Sequence, residues 1–320
     1  MPVTASTPPR RPGSLRRTTT HDCTRPEGLR GPVFILARGR DLLTAQSRTT
    51  EVLADAQLNA QSDFATATIE WITAEPTHPG LEAIHGARAF GGFRALVDET
   101  MPNERHSGSL RYQLLDDLPI ALMLSGRALR VAGLGLNVDS STRLPIDICA
   151  GWARGGTLLA GMTELGPPLT IGPAAPPLRS DDDVLAWHTF DPLPPYGTRR
   201  HRRLDVWLDG GAVQVECFFR DSFADIEGAE TVVHEYTVRA TVDPATLRFL
   251  SCHADAGPLP YPECPSAVNS ARRIESLTVA ELRRTVRNDF VGPSTCTHLN
   301  DTLRSMADID RLLQLLHSAT

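Results

Sequence analysis

Four residues in the last third of the chain have the chemistry of soft metal ligands: His234, Cys264, Cys296 and His298. Thiolate and imidazole are donors that Zn and Fe prefer, and three or four of them converging make a closed or open tetrahedral site. No Cys-x-x-Cys pair is present, so the case rests on where these residues fall. Cys264 follows an expected strand and precedes an expected helix. Cys296 opens the last helix, where unpaired backbone N–H groups and the helix dipole lower a thiol's pKa. His234 stands at the start of the central strand of the same unit, so the three elements meet at one end of a sheet. The expected ligand set is therefore His234, Cys264 and Cys296 around one Zn or Fe ion. His298, two residues beyond Cys296, points to another side of the helix and is assigned as an acid–base group or a fourth ligand.

The other reactive residue types have plainer readings. Free Cys is among the most buried residue types, and Cys23, Cys149, Cys217 and Cys252 read as packing thiols. Cys252 and His253 are adjacent on a strand and face opposite sides. Asp221, Asp225 and Glu227 could form a carboxylate cluster, but their setting, Asp-Ser-Phe-Ala-Asp-Ile-Glu-Gly, reads as a solvated loop, and Asp181 to Asp183 as an exposed charge run. There is no Gly-x-Ser-x-Gly elbow, phosphate loop or dinucleotide fingerprint. All 32 Lys-plus-Arg side chains are Arg. Schiff-base enzymes and phosphate-loop NTPases, which need the Lys amine itself, are thereby excluded.

The ligand candidates stand out because the second half of the chain repeats the first without them. Arg16-Arg17 and Asp22 recur as Arg199-Arg200 and Asp205, and Arg40-Asp41 recurs as Arg220-Asp221. Near the end of each half, Gly108-Ser-Leu-Arg-Tyr-Gln-Leu-Leu-Asp-Asp-Leu118 lies over Pro293-Ser-Thr-Cys-Thr-His-Leu-Asn-Asp-Thr-Leu303. Arg111 and Gln113 then stand where the second half has Cys296 and His298. A copy that keeps packing residues and changes the ligands implies that the first half supports and the second acts.

At 320 residues the chain is long enough for two ordinary cores. The expected organisation is a disordered tail over 1–14, a degenerate copy over 15–137, a Pro- and Gly-rich strap over 138–197, and the copy with the metal site over 198–320. Strands are expected at 33–37, 66–73 and 81–85 in the first half, and at 203–208, 212–219, 231–242 and 247–253 in the second, with Asp209-Gly-Gly211 as a hairpin turn. Helices are expected at 93–100 and 110–125, the latter capped by Ser109, and at 266–276, 279–288 and 297–317. Strands followed by helices give an α+β class: two similar units, each a small antiparallel sheet packed by its C-terminal helices, forming a pseudo-dimer within one monomeric chain. A net charge of -6 argues against nucleic acid and anionic membranes as partners. No apolar run reaches the length of a membrane span or a secretory signal, so a cytoplasmic protein is expected, with thiols in place of disulfides.

The stretch 199–313, with His234-Glu-Tyr236, Pro260-Tyr-Pro-Glu-Cys-Pro265 and Gly292-Pro-Ser-Thr-Cys-Thr-His-Leu299, resembles the bacterial domain-of-unknown-function family 2889. Arg11-Pro-Gly-Ser-Leu-Arg-Arg-Thr18 and Asp147-Ile-Cys-Ala-Gly-Trp152 resemble its longer, two-copy members. That family brings no established activity. The order strand, strand, Tyr-x-x-Cys-Pro-Ser-Ala, helix, helix, then Cys opening a last helix also resembles the iron–sulfur scaffold and sulfur-acceptor fold. By position, that likeness implies ligands at His234, Cys264 and Cys296. The chain departs from it in carrying His234 in place of a Cys or Asp region and in lacking a Lys-containing chaperone-recognition segment, which counts against a role in cluster assembly. The functional expectation is a Zn- or Fe-binding protein acting on a small organic substrate. An iron–sulfur scaffold or carrier, and a non-catalytic module that binds a protein through a surface supported by structural thiols, are the competing classes.

Overall fold

The least strand-like segments of the sequence, Arg- and Thr-rich, form the middle of the sheet. In the computed structural model, which describes residues 3–135, 144–179 and 181–318, β1 (Ser14–Thr24) and β5 (Thr198–Asp209) pair antiparallel with both faces covered. Each begins a four-stranded meander. One runs through β2 (Val33–Thr44), β3 (Thr50–Asp63) and β4 (Thr68–Glu75); the other runs through β6 (Ala212–Ala224), β7 (Glu230–Val242) and β8 (Phe249–Ala256). The result is one eight-stranded antiparallel sheet in the order β4-β3-β2-β1-β5-β6-β7-β8.

The helices lie on one face. α1 (Phe93–Thr100), α2 (Pro102–Ser107) and α3 (Leu110–Val131) follow the first meander, and α4 (Thr157–Ala160) lies in the strap. A 3₁₀ segment (Cys264–Ile274) follows the second meander and precedes α5 (Val279–Asp289), α6 (Thr297–Ser305) and α7 (Ile309–Ser318). Ser109 caps α3 by accepting from the Tyr112 N–H, and Thr278 with Glu281 closes a capping box on α5. Gly210 and Gly211 both take positive φ in the β5–β6 hairpin, as its tight turn requires. Three differences from the sequence reading are local, one being that the helix expected at 266–276 is the 3₁₀ segment Cys264–Ile274. The strand expected at 81–85 is a 3₁₀ turn (Pro79–Ala83), and the helix expected at 297–317 is interrupted by a 3₁₀ turn at Met306–Asp308.

The opposite face is covered by the strap, whose expected start at 138 lies outside the described residues. Trp187 packs edge-on against His201 and Phe218, and Phe190 against His201. Residues before Ser14 also lie on this face: the Ala5 N–H donates to Glu235, Thr7 accepts from the Trp187 indole, and Pro8 accepts from Arg16.

Apolar packing forms two large clusters, one for each meander and its helices, including Ile35, Leu58 and Leu114 in the first and Phe219, Val238 and Leu303 in the second. The seam between them is ionic. On the strap side Arg16 pairs with Asp205 across β1 and β5, and Arg199 pairs with Asp22. On the helix side Arg17 holds Asp41 and Asp308, while Arg202 grips Asp117 of α3 through two bonds of 2.9 and 2.7 Å.

Removing one partner of such a group leaves its carboxylates buried without their counter-charge, which costs about 3–5 kcal/mol. Arg17→Met is expected to lose stability of that order in urea unfolding. Arg38→Met is expected to cost under about 0.5 kcal/mol, because its partner Asp191 is 80% exposed.

The strap carries a pH dependence. His188 is held between the Thr18 and Thr20 hydroxyls, each at 2.9 Å. Its burial, reinforced by Arg40, Arg38 and Arg199, pushes its pKa down to about 3. A His whose folded pKa lies below its unfolded value leaves the unfolded chain binding more protons, so stability is lost as pH falls from about 6.5 towards 3. At about pH 5 this one group accounts for roughly 2 kcal/mol. Stability measured by urea unfolding is expected to drop between about pH 7 and pH 5, and less steeply in His188→Gln; parallel curves would show that His188 contributes nothing to the slope.

Candidate metal centre

Strand register sets two of the candidate residues opposite each other. Asp221 on β6 faces His234 on β7, and the pairing shifts immediately after Asp221. Such a bulge bends the strand and re-aims its side chains. The third member comes from the helical layer: α6 packs against β6 and β7, and His298 lies in its first turn. The His298 ring stacks on Phe219 at 5.9 Å and on His234 at 3.8 Å between ring centres.

The ligand atoms of Asp221, His234 and His298 all lie within 4.8 Å of one another. Asp221 Oδ2 is 3.3 Å from His234 Nδ1 and 3.7 Å from His298 Nε2. Behind the carboxylate, Arg200 donates to both oxygens at 3.0 and 3.1 Å, and Arg200 is itself held by Asp117 and Asp301. Asp221 is fully buried, whereas the two imidazole side chains keep 15% and 21% exposure and form the open side of the group. His234 Nδ1 is buried and makes no aligned hydrogen bond.

Charge follows from this packing. Burial alone would raise the Asp221 carboxyl, but Arg200 and the two imidazoles hold it well below the ordinary carboxylate range. Burial, together with the neighbouring His234, pushes His298 well below the ordinary imidazole value, and Asp221 offsets this only in part. The group therefore presents an ionised carboxylate and a neutral His298 ring at neutral pH.

Of the ligand set expected from sequence, His234 stands in this group, joined by His298, which was assigned as an acid–base group or a fourth ligand. Cys264 and Cys296 stand outside it, in an adjoining thiol pocket shared with Cys149 and Tyr236. The strap reaches this pocket: the Ala150 N–H donates to Thr295 O at 2.8 Å, and a Cβ added at Gly151 would come within 2.9 Å of Cys264 Sγ. Cys296 is the N-cap of α6, as expected, and its Sγ lies 3.9 Å from His298 Nδ1. Burial nevertheless outweighs the helix terminus and raises the thiol to about 11; burial and Cys296 raise Cys264 to about 12. The Tyr236 hydroxyl is buried among these thiols, with Cys296 as its nearest polar neighbour.

Asp221 is the residue that the sequence reading set aside as part of a solvated loop. Its signal lay in the repeat: Arg17 with Asp41 and Arg200 with Asp221 are matching ion pairs. In the first meander Asp41 faces Ala54, again beside a register shift, and Gln113, aligned with His298, donates to Asp117. The imidazoles are thus present in the second half alone.

Thiols held at about 11 and 12 expose little thiolate near pH 8. Iodoacetamide is expected to label Cys264 and Cys296 in the folded protein about 100-fold or more slowly than in urea. Rapid labelling of Cys296 alone would instead reveal a thiolate stabilised by His298.

No helix among the described residues is long and apolar enough to cross a membrane. No curated protein and no solved structure matches the chain. Residues 198–311, the segment that contains Asp221, His234, Cys264, Cys296 and His298, match the model of a family described as protein of unknown function (DUF2889).

Proposed function

We propose that the C-terminal half binds one Zn or Fe ion through His234, His298 and Asp221 and uses it in chemistry on a small organic substrate. The observation that carries this reading is the spacing of the three ligand atoms. Two donors each ~2.1 Å from one ion stand about 3.4 Å apart at a tetrahedral angle, and Asp221 Oδ2 lies 3.3 and 3.7 Å from the two ring nitrogens. Stacked rings direct their lone pairs side by side, so a shared ion requires the two imidazoles to tilt towards it.

Two imidazoles and one carboxylate are the donor set of sites that keep coordination positions open. Bound there, the metal supplies a Lewis acid and a water of lowered pKa. The protein's part is to keep Asp221 ionised and oriented through Arg200, to keep His298 neutral through burial, and to leave the imidazole side open to solvent.

A second reading rests on the row Cys296 Sγ, His298 Nδ1 and Nε2, then Asp221, which has the order of a thiol nucleophile, its base and an orienting carboxylate. The raised thiol and lowered imidazole weigh against it, since the pair then rests neutral.

We also infer that the halves are two copies of one unit joined as a pseudo-dimer. Arg16 with Asp205 and Arg199 with Asp22 exchange the same side chains in both directions across β1 and β5, and the meanders begin at these two strands.

Metal analysis of protein purified without a His tag and incubated with Zn or Fe(II) tests the assignment. One equivalent is expected in the wild type, Cys264→Ser and Cys296→Ser, with little or none in His234→Ala and His298→Ala. Metal retained by both His variants, or a wild type that takes up none, would refute it. Loss in the Cys variants alone would return the site to the thiols.

A further inference from the structure

Away from the candidate metal centre, among α1, α2, α3, α5 and α6, a cavity of about 420 Å³ is lined by Arg94, Arg105, Arg283, Arg284, Arg287 and Arg304. Two carboxylates, Asp98 and Asp116, share the lining, so six Arg against two Asp leave it at a formal charge of +4 in a chain whose net charge is -6. Both carboxylates are already occupied. Asp98 accepts from the Tyr112 hydroxyl at 2.6 Å and lies near Arg105 and Arg287, while Asp116 takes Arg304 at 2.6 Å and Arg94 at 3.2 Å.

Asp301 and Asp308, just behind the lining, take Arg94, Arg304 and Arg283, so six Arg against four Asp still leave a surplus of +2. Arg283 reaches Asp308 with Nη2 and lies over the Tyr112 ring, yet its Nη1 is buried without a hydrogen-bond partner. An orphaned guanidinium N–H costs its desolvation, and like charges gathered around a void repel. An anion in the cavity relieves the repulsion. The planar fork of Arg suits a tetrahedral oxyanion held through paired N–H donors, and the volume falls within the range of small-molecule sites.

We propose that this cavity binds a phosphorylated small molecule. The positive surplus that remains after these ion pairs matches a ligand bearing two or more negative charges, which a phosphate ester or diphosphate supplies in one compact group. A dicarboxylate offers less charge per group and a planar acceptor, so it is the comparison that tests the choice. Arg94 and Arg304 also pair with Asp301, which holds Arg200 behind Asp221, so bound ligand and candidate metal centre share one chain of charges.

Calorimetric titration of the full-length protein at constant ionic strength tests this, with pyrophosphate as probe and malonate as comparison. The expected result is one saturable site for pyrophosphate, about tenfold or more tighter than malonate. Arg284 and Arg287 are exposed, so the double variant Arg284→Ala/Arg287→Ala keeps its fold, checked by its melting temperature, and is expected to weaken pyrophosphate about tenfold or more. Arg239→Ala, on exposed β7 surface, is expected to change nothing. His234→Ala is expected to bind pyrophosphate as the wild type does, which separates this site from phosphate resting on a metal. Absence of saturable binding, equal affinity in the double Arg variant, malonate binding as tightly, or loss in His234→Ala would each overturn the proposal.

Discussion

The protein depends on pairing the buried arginines of β1 and β5. Two strands that carry Arg16, Arg17, Arg199, Arg200, Arg202 and Arg203 occupy the middle of the sheet with almost no exposure. Desolvating a guanidinium is tolerated only when its charge and its N–H donors are met. Most of the carboxylates that meet them arrive from a neighbouring strand or from the helical layer; Arg203 is met by Asp205 of its own strand and by Glu216 of β6. Arg16 and Arg199 use opposite strands of the seam; Arg17 reaches Asp308 beyond α6; Arg200 and Arg202 reach Asp117 on α3. The helices are thereby keyed to the sheet by charge as well as by their apolar faces, and each half supplies counter-ions to the other.

That seam also supports the Asp221, His234 and His298 group. Asp221 is fixed by Arg200, and Arg200 is fixed by Asp117 from the first half and Asp301 from α6. The orientation of the carboxylate is thus set two contacts away from the imidazoles, by residues of both halves. The first meander keeps the matching ion pair, Arg17 with Asp41, but places Ala54 opposite the carboxylate and Gln113 on the helix. The ion pair is present in both meanders, and the imidazole pair stands beside it in the second alone.

Which parts were legible in the sequence follows from how each residue spends its side chain. The Ser109 cap, the Asp209-Gly-Gly211 hairpin and the apolar stripes of α3, α6 and α7 are local signals, and the structure has them. β1 was not legible, since Leu-Arg-Arg-Thr-Thr-Thr-His-Asp carries no apolar alternation; its two faces are buried against an ionic layer and a polar strap, and period-two hydrophobicity has no reason to arise. β3 does alternate, with Ala56, Leu58, Ala60 and Ser62 inward and Gln57, Asn59 and Gln61 half-buried on the other face, but its inward residues are mostly too small to give a clear apolar signal. His234 and His298 were legible as residue types. Asp221 was not, because a carboxylate neutralised by a distant Arg looks identical in sequence to one dissolved in water.

The thiols show how burial can reverse a local rule. A Cys at a helix N-cap has the backbone N–H groups that favour its thiolate, and Cys296 has that place at the start of α6. Its surroundings, however, are Cys264, Cys149 and the Tyr236 hydroxyl, closed by the strap through Ala150 and Gly151. Removing water costs the anion more than the helix terminus returns, so the thiol rises. The same dryness lowers His298, 3.9 Å away, because its charged form is the one that burial disfavours. A neutral imidazole with a free lone pair beside an ionised carboxylate is the protonation state that a metal requires and that a thiolate–imidazolium pair does not.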